Sequence, residues 1–444
     1  MDTSLAVFLI EHTRNLLGDL GFLERHRVSG QDFTRTRRLP FNLVVLLVLQ
    51  KTLKSIQLHL HEFFERLAEG DVFSSVTAGA WTHARAKLRH TAFIELNQVA
   101  VLGNFYAATK SVVLWHGHRL LAIDSSTLRM PHAKALFEFF GGQEPFNQSG
   151  SCELRVPQAR LSVLFDCLNW IGIDTRVGKF SQGEVALACD HLSALRPGDV
   201  VVSDRGYAGY LFLARVFAHG GHFIVRCQER SFAAAKELFK RNEDGASITV
   251  TLPAKSRRAE AEAAGLPLEL KVRFISVRLS SGELEVLATS LLDEETYPAR
   301  EFLKVYYERW GIETYYKVIK GRLDLENFSG LSVEAILQDI HAAVFLSNFE
   351  SVITREAAAQ LPKTRDDGRR YQTKLNKAVT FHTLKNRIID LLAGNDPIEK
   401  VLAEMTELFL ANPVIIRPNR NPPRKTPTPL RSLNFQKHVR KVVF

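Results

Sequence analysis

Three acidic residues offer this sequence its clearest chemistry. Asp124 closes the apolar run in LLAIDSSTLRMP, Asp204 closes the one in VVVSDRGYAG, and Glu313 lies inside YYERWGIETYYKVIK. A carboxylate at the end of a buried strand is costly unless it is paired or binds a metal. Three such groups converging without cysteine or histidine suit hard divalent cations, Mg²⁺ or Mn²⁺. Two of these ions about 4 Å apart activate a water or hydroxyl and stabilise the leaving oxygen of a phosphodiester displacement. Plainer roles compete. Asp124 would serve as a strand-end cap beside Ser125, Ser126 and Thr127, and Asp204 as a turn residue before Gly206.

The stretch around Glu313 is patterned. At about 100° per residue, Tyr306, Arg309, Glu313 and Lys320 share a sector of roughly 60° on a helix. Val305, Ile312, Tyr316 and Ile319 occupy the adjacent sector and form an apolar stripe that would seat the helix on a core. The polar row thus borders the buried face. Two cations flanking an acid can hold phosphates on either side of a scissile one, and Tyr306 can hydrogen-bond a phosphate or stack. The alternative is a row of solvated ion pairs, each contributing tenths of a kcal/mol.

Other elements must bring these residues together. SVVLWHG and RLLAID form a hairpin-like pair across a His-Gly-His turn, and QARLSVLFD and WIGIDTRVG give two more strands. Helix GEVALACDHLSAL, strand GDVVVSD, helix YAGYLFLARVFAHG and strand HFIVRC follow. The pattern is α/β with a mixed sheet. If strands RLLAID and GDVVVSD are neighbours, Asp124 and Asp204 end side by side, and a helix across the sheet can deliver Glu313. Before that helix lie SITVTLP, LELKVRFISVRL and ELEVLATSLL, a β-rich insertion. Residues 1–107 and those after 350 are helical in pattern. Periodic apolar segments lie around the basic knot Arg35, Arg37 and Arg38; beyond them Thr77 is placed to cap a helix expected to expose His83, Arg85, Lys87 and Arg89, an arrangement only loosely like a helix-turn-helix.

Composition bounds the rest. The 444-residue chain is 45% hydrophobic, ordinary for a globular protein. Its longest apolar run, FNLVVLLVL at 41–49, is far short of the about 20 residues that span a bilayer. No basic leader precedes it, so a cytoplasmic protein is expected, nucleoid-associated when bound to DNA. Cys152, Cys167, Cys189 and Cys227 lack CxxC spacing and read as reduced and mostly buried. The pairs His59/His61 and His116/His118 read as turn or surface residues. The net charge is +10, but residues 413–444 hold eight Lys/Arg, six prolines and no acid. Removing those eight from the chain's 58 leaves 50 basic against 48 acidic groups. The excess sits on an extended arm suited to a polyanion.

The spacing Tyr306-x2-Arg309-x3-Glu313-x6-Lys320 resembles the Y-R-E-K signature of bacterial insertion-sequence transposases. These are DDE enzymes with a ribonuclease-H-like domain interrupted by a β insertion. AIDSSTLRMP and SDRGY resemble that group's two aspartate neighbourhoods, so the likeness runs from about 108 to 330. It implies cut-and-paste transposition of double-stranded DNA through a hairpin. Asp124, Asp204 and Glu313 would be the catalytic residues and bind two Mg²⁺, with Mn²⁺ able to substitute. Tyr306, Arg309 and Lys320 would grip DNA, in a synaptic homodimer that acts on element ends and target.

The resulting organisation is a helical DNA-binding region at 1–107, a ribonuclease-H-like core at 108–228 and 297–350, a β-rich insertion at 229–296, and a helical region at 351–444, which could dimerise and ends in the arm. One departure from the family stands out: a tryptophan that receives a flipped base in the insertion has no counterpart here, leaving Phe274 or Tyr297 as stacking surfaces. Two further readings stay open. One is a non-catalytic DNA-binding regulator on the same fold; the other is a structure-selective nuclease.

Overall fold

A computed structural model describes residues 4–35, 37–52, 54–67, 76–143, 156–361 and 371–417. Cys152 and nearly all of the basic arm lie outside these residues. The chain divides into two compact units. One comprises Val112–Leu128 and Ala159–Lys317; the other comprises Met1–Ser111, Arg129–Gln158 and Val318–Phe444.

The first of these is built on a mixed sheet. Its strands are β1 Leu120–Arg129, β2 Val156–Asp166, β3 Ile171–Lys179, β4 Val200–Ser203, β5 His222–Cys227, β6 Ser247–Pro253, β7 Glu269–Arg278 and β8 Leu284–Thr289. They run in the order β3-β2-β1-β4-β5-β8-β7-β6. β1, β4 and β5 are parallel, whereas the β2–β3 hairpin and the β5–β8–β7–β6 ladder are antiparallel. The first five strands have the 3-2-1-4-5 order of a ribonuclease-H-like sheet. The insertion's three strands extend that sheet, with β8 pairing directly on β5.

β4 is four apolar or small residues, all buried, as befits a central parallel strand. β1 is buried at its first four residues and only partly beyond Ile123. The expected hairpin before it shrinks to one bridge, Trp115 to His118. His116 and Gly117 both take positive φ (47° and 81°), tightening the turn so that no strand forms ahead of it. Helices in this unit are α1 Glu184–Asp190, α2 Tyr210–Ala218, α3 Ala233–Arg241, α4 Ala299–Glu308 and the start of α5, Trp310–Gly321.

The expected single helix through Tyr306–Lys320 is divided at Arg309. Its amide bonds three residues back to Tyr306 rather than four, tightening one turn just before Gly311. The apolar stripe is nonetheless buried as expected at Val305, Ile312, Tyr316 and Ile319.

The second unit is helical. Its centre is α6, Val333–Ile353, buried on nearly every side. Helices Leu5–Gly18, Phe41–Gln50, Lys377–Ala393 and the segment Leu96–Gly103 pack about α6 and one another. The run at 41–49 is therefore a core helix. No helix among the described residues is long and apolar enough to cross a membrane.

Candidate active site

The β1–β4 register sets the first two acids. Leu120, Leu121 and Ala122 lie opposite Val200, Val201 and Val202. Two residues beyond the last pair come Asp124 and Asp204, abreast on neighbouring strands, whose spacing is about 4.8 Å. Asp124 Oδ1 accepts the Ser125 amide (2.8 Å). Asp204 Oδ1 accepts the Arg205 amide (2.7 Å) and the Tyr306 hydroxyl (3.4 Å). Burial pushes the Asp124 carboxyl up to about 6; the Ser125 amide and Arg309 oppose this, while Glu313 and Glu184 push the same way.

Helix α5 supplies the third acid. Arg309 Nη2 lies 3.4 Å from Glu313 Oε1, one turn apart. Arg309 is only 4% exposed, so the solvated-ion-pair reading does not describe this row. Its guanidinium stacks 5.5 Å from the Tyr306 ring and 5.0 Å from the Trp310 ring. Burial works against the Arg309 charge, but Tyr306, Asp204, Glu313 and Asp124 outweigh it and raise its pKa. Of the three acids, Glu313 is the one in direct contact with this buried cation. Burial also pushes Tyr306 up to about 12.

Lys320 belongs to the helical unit, where its Nζ is 3.5 Å from Glu326 Oε1. Burial lowers its pKa against the opposing pull of Glu326.

Among the described residues, no three His, Cys, Asp or Glu side chains stand close enough to hold one ion together. The donor set is nevertheless all oxygen, and polar atoms around it lack partners. Buried Ser125 Oγ, Ser203 Oγ, Tyr207 OH and Arg309 Nε have no hydrogen bond among the described atoms. Each belongs to an acid's immediate neighbour or to a side chain that feels the acids. Oxygen ligands beside unsatisfied polar atoms fit a hydrated divalent ion and phosphate oxygens.

Sequence reasoning missed Arg226, which pairs with Glu285 on β8 (Nη2 to Oε1, 2.5 Å) and approaches Asp204 Oδ1 at 3.9 Å. A cation in the apolar strand HFIVRC, next to the strand of Asp204, was the available signal. Two expectations need correction. Phe274 is fully buried against Phe232 and presents no face to a base. Arg85 is not exposed: Gln338, Ser329, Asp339 and the Ala335 carbonyl take its donors inside the helical unit. Tyr297 is engaged by His118 (2.8 Å). Trp310 opens the acid-bearing helix and is 40% exposed, whereas Tyr315 and Tyr316 on the same helix are buried.

The strand order is that of a ribonuclease-H-like core. The transposase DDE domain family matches residues 115–349, more than half of the chain. The chain belongs to that family and is a DNA transposase. It is similar to the transposase InsG for insertion sequence element IS4 of Escherichia coli (strain K12), 24% identical over 343 residues, covering 73% of this chain and 72% of that protein. Among solved structures it is matched by a piggyBac transposase synaptic complex with hairpin DNA, with a TM-score of 0.40 and 10% identity, covering 91% of this chain and 84% of that one.

Proposed function

We propose that this transposase cuts the ends of an insertion-sequence element and joins them to target DNA, with Asp124, Asp204 and Glu313 as its catalytic carboxylates. The observation that carries the reading is geometric: the β1–β4 register sets Asp124 and Asp204 abreast, and Tyr306 and Arg309, which contact Asp204 and Glu313 respectively at 3.4 Å, join the helical acid to them. A pair of divalent ions bound there, Mg²⁺ or Mn²⁺, supplies the Lewis acidity for activating water and then a 3′-hydroxyl.

The chain's own residues do the rest. Asp124 and Asp204, fixed by the β1–β4 register, present carboxylates from the rigid centre of the sheet. Glu313 would join the two aspartates in holding the ions, with Arg309 beside its Oε1 at 3.4 Å. Arg309 and Tyr306 would contact a DNA phosphate, and Lys320 would contribute a further phosphate contact.

A cleft of about 1080 Å³ in the helical unit is lined by Arg35, Arg37, Arg38, His83 and Lys87. Thr77 caps its helix through the Ala80 amide (3.2 Å). This cationic lining supports binding of the element's terminal repeats by the N-terminal region. The family resemblance supports a homodimeric synaptic complex.

The test is end cleavage with Mg²⁺ by Asp124→Asn, Asp204→Asn and Glu313→Gln. Each should lose activity by about 10³-fold or more while binding element-end DNA as the parent does. Retained cleavage in any one removes that residue from the site. Nicking without strand transfer by the parent would leave a nuclease instead.

A further inference from the structure

A buried histidine that the proposed chemistry does not use lies behind Asp124. His191 follows helix α1 and is fully buried. Its Nδ1 lies 2.8 Å from Asp174 Oδ2 on β3, and its Nε2 lies 3.0 Å from Ser162 Oγ on β2. Ser162 pairs with Arg176 in the β2–β3 ladder, so Ser162, Arg176 and Asp174 share one face of the sheet. Arg176 Nε steadies Asp174 from the side (2.7 Å).

The order Asp-His-Ser invites comparison with a nucleophilic triad, but Ser162 is fully buried and reaches no solvent. Its hydroxyl instead donates to the peptide oxygen of Asp124 (3.3 Å). Asp174 can only accept, so His191 Nδ1–H donates to it; the Ser162 hydroxyl has one hydrogen, so its bond to the Asp124 oxygen requires His191 Nε2 to carry a hydrogen too, both ring nitrogens then donating. A second donor meets the same oxygen. Tyr316 OH lies 2.8 Å from it, and Tyr316 stands one turn after Glu313 on α5. That bond ties the helix of one acid to the strand of another.

We propose that the chain Asp174–His191–Ser162, together with the Tyr316 hydroxyl, clamps the Asp124 peptide and so aims its carboxylate toward a divalent cation. These are positioning residues; none would touch DNA or metal. The inference rests on Asp124 being a metal ligand. Its physical basis is general: partners behind a ligand fix its orientation, and their loss weakens the site without removing any donor.

The test measures Mn²⁺ alone binding to the full chain without DNA, by electron paramagnetic resonance or calorimetry, beside thermal unfolding in chelator. Ser162→Ala and Tyr316→Phe should each weaken Mn²⁺ binding about tenfold, and the pair together by more. His191→Gln, whose amide can still donate to Ser162, should stay within about threefold of the parent, while His191→Leu should match Ser162→Ala. Lower melting temperatures with unaltered Mn²⁺ affinity would overturn the proposal and leave a merely structural trio. Tyr316→Phe, which keeps the ring and deletes one oxygen, decides the matter should the Ser162 variant not fold. Asp124→Asn is the control: if it binds Mn²⁺ as the parent does, the metal-site reading has failed and the positioning role falls with it.

Discussion

Two buried arginines, one in each unit, show opposite uses of the same group. Arg85 is 5% exposed and Arg309 is 4% exposed. Arg85 Nε donates to Gln338 (2.7 Å), Nη1 to Ser329 (2.6 Å), and Nη2 to Asp339 (2.8 Å) and the Ala335 carbonyl (2.9 Å). Lys51 adds a second cation 3.5 Å from Asp339. Arg309 has a long contact to Glu313, two aromatic faces, and an Nε with no partner among the described atoms. Unsatisfied buried charge is unfavourable for folding and useful for binding. A saturated guanidinium holds helices together; an unsaturated one waits for phosphate.

The comparison predicts a crossed pattern, and it carries the largest effect expected here after loss of the carboxylates. Arg309→Met should reduce end cleavage about 100-fold, as loss of a preorganised charge donor does, while changing stability by less than about 1 kcal/mol. Arg85→Met should cost about 3 kcal/mol, because Asp339 stays buried after losing its closest cation, with Lys51 at 3.5 Å and the neutral donors of Ser329 left to compensate. Its cleavage, measured where the variant is folded, should be near normal. Thermal unfolding and single-turnover cleavage on the same preparations check both, and parallel losses in the two variants would erase the distinction.

A smaller effect concerns Asp124 in the ion-free protein. Its folded pKa, raised to about 6, exceeds the ordinary 3.8. The folded state therefore binds more protons than the unfolded one between those values, and stability falls as pH rises through the window. Above pH 6 the charged carboxylate is a full penalty. Asp124→Asn in chelator should then be more stable than the parent by about 2 kcal/mol at pH 7.5, with the advantage shrinking towards pH 4. Equal unfolding at both pH values would show that the carboxylate carries no such burden.

The smallest effect belongs to the basic cleft. Arg37→Ala should weaken element-end binding and lower the slope of log affinity against log salt by about one. An unchanged slope would mean that the cleft carries no DNA phosphate.

Legibility followed the range of the interactions. The helical character and shared apolar stripe of α4 and α5 were readable from Val305, Ile312, Tyr316 and Ile319, because helical period is local, whereas their division at Arg309 was not. The strands that carry Asp124 and Asp204 were readable from the alternation of apolar runs and helices, but their adjacency entered only as a condition that the β1–β4 pairing meets. The burial of Arg85 was not: its partners Ser329, Ala335, Gln338 and Asp339 lie some 250 residues away, and nothing in THARAKLRH separates a buried cation from exposed ones. Arg226 escaped for the same reason, since Glu285 reaches it only through the β5–β8 pairing. The β segments at 247–289 were visible as strands, but their joining to the core sheet depended on edge pairing, which leaves no local trace.

The sequence by itself determined which residues could do chemistry. Carboxylates after apolar runs and the Tyr-Arg-Glu-Lys spacing are properties of neighbours along the chain. Tertiary structure alone decided how those groups are held: which arginine is saturated, which acids share a cation, and which buried histidine stands behind Asp124. The reason is physical, because periodicity acts over a few residues, whereas desolvation and hydrogen-bond saturation depend on what the fold brings from far away.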